Sequence, residues 1–242
     1  MLDYTGVYAE LDDRAEFLAG LRRTSFFDVE PLSLLALDDS ALAPLSLSAI
    51  ARPTFVAATE HLTGHEPTAA TFALLRAALE AGAVTIWLLE SDDPTVRATR
   101  LLSEVWGDIR DSDRLTTALN GALDSLATRE RDWTAAHTAV FGDSDPSARQ
   151  MPTATTKKID VAATVVADFT RVPNAAAVIR GSWQGFGALA RGRQDAFDIA
   201  DDPNAMIAGS LSLVLDVLET AASLYHVRAV ADSVTVQNPT RP

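Results

Sequence analysis

Hydrophobic positions are densest between residues 67 and 90, PTAATFALLRAALEAGAVTIWLLE. Phe72, Leu75, Leu79, Val84, Ile86 and Trp87 cover more than one face of a helix. Ala, Leu and Glu favour helix, and Pro67 suits a first helical position, where its missing N–H costs nothing. A helix apolar nearly all round is a buried central helix or a membrane span. About 20 residues is long enough to span, but Arg76 and Glu80 near the middle oppose that, because charge at bilayer depth is costly. The pattern predicts the inner helix of a bundle.

Around it the periodicity is helical elsewhere too. Residues 8–23 are amphipathic, with Leu11, Phe17, Leu18 and Leu21 on one side. Pro31 and Pro44 break the following stretch into short pieces. A helix over 46–61 carries a kink or split at Pro53. Asp93 and Pro94 form a cap-and-proline start for an element over 95–127, either one long helix or two with a break near Gly121. Residues 142–156 read as a loop. Residues 157–169 read as helix despite their β-branched content, because no strand partner is in view. Asn174 suits a cap, and Gly181, Gly185 and Gly187 permit close backbone approach. Asp202 and Pro203 repeat the cap-and-proline start for a last helix ending near His226, with residues 230–242 as a flexible tail. The expectation is an all-α chain folded as one domain over residues 1–242, a multi-helix bundle around 67–90.

Composition narrows the function classes. The chain has 242 residues, 48% of them hydrophobic, which is enough for a sizeable core. Its net charge of −13 disfavours a nucleic-acid or anionic-membrane surface. Cysteine is absent, which removes disulfides, thiolate metal sites and a thiol nucleophile. The acidic N-terminus lacks a basic stretch followed by an apolar one, so no secretory signal is expected and the default location is cytoplasmic. Only two lysines occur, Lys157 and Lys158.

Candidate chemistry falls in three places. His61 and His65 have the four-residue spacing of a helical metal pair, flanked by Glu60 and Glu66. Gly64 and Pro67 end the helix there, however, so histidines suiting a helix C-terminus are the blander reading. Arg76 and Glu80 share a helix face, either as a polar site or as a pair fixing helix register. Arg131 and His137, around Trp133, combine a phosphate-stabilising cation with a proton-transferring imidazole. That Arg–polar–His arrangement resembles the signature of the HEPN ribonuclease superfamily, whose Arg and His act on RNA at a dimer interface. The acidic composition favours the alternative, an exposed helix face with a partly buried Trp133. No phosphate loop or nucleophile-elbow motif is present.

A second resemblance covers about half the chain. Arg76, Glu80, Trp87-Leu88-Leu89, Asp93-Pro94, Arg97 and Arg100 are similar to a pattern in a group of uncharacterised helical proteins common in actinobacteria. The later Ser-Gly-x-x-His-Gly of that group aligns with residues 180–185, where Arg180 replaces the Ser and Gln184 the His. The resemblance implies a helical fold and no established activity.

The sequence thus points to a non-enzymatic module that binds a protein or small-molecule partner, as a homodimer in one version. Its candidate ligand-binding residues are Arg76, Glu80, Arg97, Arg100, Arg180 and Gln184. The ribonuclease reading with Arg131 and His137 and a metal-enzyme reading with His61 and His65 are the alternatives. No cofactor, nucleic acid or membrane is expected.

Overall fold

A computed structural model describes residues 6–14 (8 and 12 apart), 68–119, 124–142, 153–192 and 203–237. The expected 46–61 helix, Pro67, His61 and His65 lie outside the described residues. Among the described residues every regular element is helical. A short N-terminal helical segment precedes α1 (Ala69–Leu89), α2 (Pro94–Ala118), α3 (Asp124–Phe141), α4 (Thr155–Thr170), α5 (Ala175–Leu189) and α6 (Pro203–Gln237).

The all-round apolar α1 is the central element, as its pattern predicts. It packs against α4, α5 and α6 along its length and meets α2 near its end. Phe72, Leu75, Leu79, Ala83 and Ile86 are completely buried, and each large one contributes roughly 1.5–3 kcal/mol by leaving water. The backbone N–H of Thr68 donates to Thr71 Oγ1 at 3.2 Å where α1 begins. At Gly82 α1 comes so close to α6 that a Cβ would sit 2.8 Å from Val217 Cγ1. By length and composition, α1 and residues 205–228 of α6 are apolar enough to cross a membrane, and more than half of each lies inside the protein.

Two cores result. The first joins α1, α4, α5 and α6, with Leu11 from the N-terminal segment and Phe72 against Phe186 at 6.0 Å between ring centres. Arg14 ties that segment to α6 through Asp216 and Glu219, each at 2.7 Å. The second core joins the end of α1, Trp87 and Leu88, to the α2–α3 pair. Asp93 caps α2 by accepting from the Thr95 N–H at 2.8 Å, with Pro94 first in the helix, as read from the sequence.

The 95–127 element is two helices, α2 ending at Ala118 and α3 starting at Asp124, in keeping with the expected break near Gly121. Other boundaries differ from expectation. The last helix runs to Gln237, past 226 and into the expected tail. No Gly or Pro falls between Gly209 and Pro239 to stop it. Asn174 stands at the N-cap of α5 but in the left-handed region, φ 63°, and its side chain makes no cap bond. With Arg171, at φ 56° and closing α4, it reverses the chain within four residues.

Candidate functional site

The end of α1 gathers three arginines. A helix leaves its last carbonyls without intrahelical partners, and cations suit that end of the macrodipole. Arg100 Nη1 donates to the Trp87 carbonyl, while its Nη2 holds Glu90 at 2.7 Å. Arg228 donates to the carbonyls of Leu89 and Glu90 at 3.0 and 3.1 Å and pairs with Asp92. Arg97 donates to the carbonyls of Ser91 and Asp92, both at 3.1 Å. Arg97 and Arg100, expected among the ligand-binding residues, are therefore occupied in finishing α1 and turning the chain into α2. Arg228, from α6, is a third member that sequence spacing does not reveal.

Beside this cap lies a charged contact between the two cores. The Lys158 ammonium pairs with Glu104, linking α4 to α2, and both side chains are largely buried. Lys158 also stands 5.1 Å from the Trp87 ring centre, and the Arg100 guanidinium 5.0 Å from it, within cation–π range. Glu104 Oε1 is buried and has no hydrogen-bond partner. Burial pushes the Glu104 carboxyl above its ordinary value, with Asp108 adding to this and Lys158 opposing it.

Arg76 and Glu80 form the pair that their spacing predicts, at 2.8 Å, with side chains about a third exposed. A third residue completes the group. Trp183 of α5 donates its indole N–H to Glu80 at 2.7 Å, and Arg76 lies 5.0 Å from the Trp183 ring centre. Gly187, one turn further along α5, leaves the space Arg76 occupies, since a Cβ there would sit 1.9 Å from Nη1. Of the three glycines expected to permit close approach, only Gly187 does so. Gly181 and Gly185 face open space.

Next to these groups an open groove of about 700 Å³ runs along α4. Glu90, Lys157, Asp160, Val161, Thr164, Val165 and Arg180 line it. Arg180 pairs with Asp160 across the α4–α5 contact, so its guanidinium is held at the groove wall. Of the six expected ligand-binding residues, Arg180 alone lines the groove. Glu90, Lys157 and Asp160 do so without having been singled out. Gln184 is exposed and outside it.

Arg131 and His137 part company within the chain. Arg131 is exposed, on a shallow hollow built wholly from α3. His137 is 7% exposed, stacked on Trp133 at 5.1 Å and beside Phe141 at 5.3 Å, and its Nε2 is buried without a partner. Trp133 is fully buried and its indole N–H reaches the Leu102 carbonyl at 2.8 Å. The expected exposed face with a partly buried Trp133 is corrected accordingly: the six-residue spacing puts Arg131 outside and the Trp133–His137 side inside. No group of three His, Asp or Glu suited to a metal occurs among the described residues. Compared with known proteins, the chain matches no family model, no curated protein and no solved structure.

Proposed function

We propose that this chain is a non-enzymatic helical module that binds a partner, with the groove along α4 as its binding face. The groove carries the reading: an apolar strip, Val161 and Val165, lies between charged residues fixed by their neighbours, Glu90 by Arg100 and Asp160 by Arg180. Preset charges around an apolar strip favour recognition, because little side-chain freedom is lost on binding. The placing of Arg131 on the exposed face of α3 and of His137 on its buried face supports binding over RNA cleavage by a single copy.

The experiment is a thermal-shift screen of small molecules and amphipathic peptides, run in parallel on the parent chain and on Thr164→Trp, which fills the groove from an exposed position. Compounds that stabilise the parent and lose their effect on Thr164→Trp are the expected result. Stabilisers indifferent to that substitution would place the binding face elsewhere.

A further inference from the structure

The outer face of α4 carries a second layer of information. Ile159, Ala162, Ala163 and Val166 are its buried side. Opposite them Lys157, Val161, Thr164 and Asp168 recur at the four-, three- and four-residue steps that keep one seam of a helix in line. Lys157, Thr164 and Asp168 are exposed and Val161 is half-buried. The neighbouring charges, Asp160 and Glu90, are already paired with Arg180 and Arg100. Lys157 and Asp168 form no ion pair with any described residue. They have opposite sign, but eleven residues of helix separate them by roughly 16 Å, so they cannot meet each other.

Both are also wrong for their own helix. Lys157 stands in the first turn of α4 and Asp168 in the last, where the macrodipole favours the reverse. One arrangement corrects both faults together. If a second α4 lies antiparallel beside the first, Lys157 comes to the C-terminal end of its neighbour and Asp168 to the N-terminal end. A two-fold axis at the level of Ala162 and Ala163 sets Lys157 of each copy opposite Asp168 of the other. It also sets Val161 opposite Thr164 and Asp160 opposite Val165. This reciprocity is the mark of a self-complementary two-fold interface.

We propose that the Lys157–Val161–Thr164–Asp168 stripe of α4 is the contact face of a homodimer in which two copies pack antiparallel along this helix. The proposal rests on the reading of the α4 groove as a binding face and names a second copy as its occupant. Charge argues for that occupant. Two chains of net charge −13 repel each other, which favours a contact on a face of balanced charge, and this stripe is balanced. The carboxylates Glu90, Asp160 and Asp168 would repel a polyanion in the same place.

The test is sedimentation of the full chain across a concentration series, with circular dichroism to confirm folding. The parent is expected to dimerise. Lys157→Asp and Asp168→Lys, both at exposed positions, each place like charges in contact twice per dimer and weaken association by about tenfold or more. Combining the two restores opposite charges across the axis and is expected to restore the dimer. As the chain has no cysteine, Thr164→Cys introduces a single thiol close to the axis. It is expected to form a disulfide-linked dimer on mild oxidation, whereas Thr117→Cys on the outer face of α2 stays monomeric. A dimer indifferent to both charge exchanges, or a parent still monomeric at near-millimolar concentration, overturns the proposal. A monomer whose screening hits still vanish with Thr164→Trp removes only the second copy and leaves the groove reading standing. A monomer with no such hits removes both.

Discussion

The two cores solve the same problem by different means. Between α1, α4, α5 and α6 the interior carries no buried charge pair among the described residues. Its buried hydroxyls on Thr85, Ser210 and Thr220 bond to carbonyls of their own helices, and α1 approaches α6 closely because Gly82 has no side chain. Around α2 and α3 an aliphatic interior of Leu101, Leu102, Val105 and Ile109 is joined by aromatic rings and charged groups. Trp106, Trp133, His137 and Phe141 meet ring to ring in sequence, stacked at Trp133–His137 and tilted elsewhere, and the Lys158–Glu104 pair joins the α2–α3 pair to the bundle. The first core is held by non-directional burial and tolerates any element that fits. The second depends on partners being present, since an orphaned buried charge is penalised far more than a paired one is rewarded. One core is thus sensitive to volume and the other to charge.

The sharpest way to break this contrast is Lys158→Met. It leaves Glu104 buried without its cation and is expected to cost about 3–5 kcal/mol, measured by urea unfolding. Hydrogen exchange should show α2 and α3 losing protection first, while α1 and α6 keep theirs. Adding Glu104→Leu removes the stranded charge and should recover most of the loss. If Lys158→Met loosens all helices equally, the two cores are energetically one. Next in size is Gly82→Ala. Alanine favours helix over glycine by about 1 kcal/mol, but its methyl would sit 2.8 Å from Val217 Cγ1, on a branched side chain close to its backbone. Overpacking of this kind costs roughly 1–3 kcal/mol. The expected outcome is a net loss, with α1 and α6 losing protection, the reverse of the Lys158→Met pattern.

The apolar core was legible and the polar one was not, for a physical reason. Burial of α1 follows from its own composition, and the start of α2 from two adjacent residues, Asp93 and Pro94. Local signals of this kind need no knowledge of what lies across the gap. The 76–80 pair was legible for the same reason, being one helical turn apart. Lys158 and Glu104 are 54 positions apart, and Arg228 reaches carbonyls more than 130 positions away. No spacing rule connects such residues. Pattern singles out Arg97 and Arg100 but not the carbonyls they bond to, because a carbonyl acceptor leaves no trace in a side-chain sequence. The rarity of lysine was a usable signal, since both lysines of the chain fall at the start of α4, one buried and the other at the groove. Asn174, Gly181 and Gly185 show the opposite limit: a residue type permits a conformation or a close approach without requiring it.

A smaller effect tests the charged core by pH. Because burial raises the folded-state carboxyl of Glu104 above its unfolded value, the folded chain holds that proton more tightly. Its contribution to stability is complete below the ordinary carboxylate range and is lost as pH rises through the raised value. Glu104→Gln has no proton to release. The parent's stability relative to Glu104→Gln should therefore fall with rising pH across that window and level off above it. Urea midpoints taken in steps from acid to neutral pH measure the difference, and a parent that gains on the variant over this range would show that Lys158 outweighs desolvation.

Gly187→Ala carries the smallest expected change and separates packing from charge within a single contact. The added methyl meets the far end of a flexible side chain, Arg76 Nη1, rather than a branched carbon as at Gly82. Arg76 can swing away, surrendering its contact with Trp183 and its exposed pair with Glu80, worth up to about 1 kcal/mol each. The helix meanwhile gains about 1 kcal/mol from replacing glycine. The net shift in stability should lie within about 1 kcal/mol of zero, while Trp183 fluorescence changes because the guanidinium has left the ring. An equal loss for Gly82→Ala and Gly187→Ala would mean that both glycines answer to volume alone, and that the Arg76–Glu80–Trp183 group is as rigidly packed as the bundle interior.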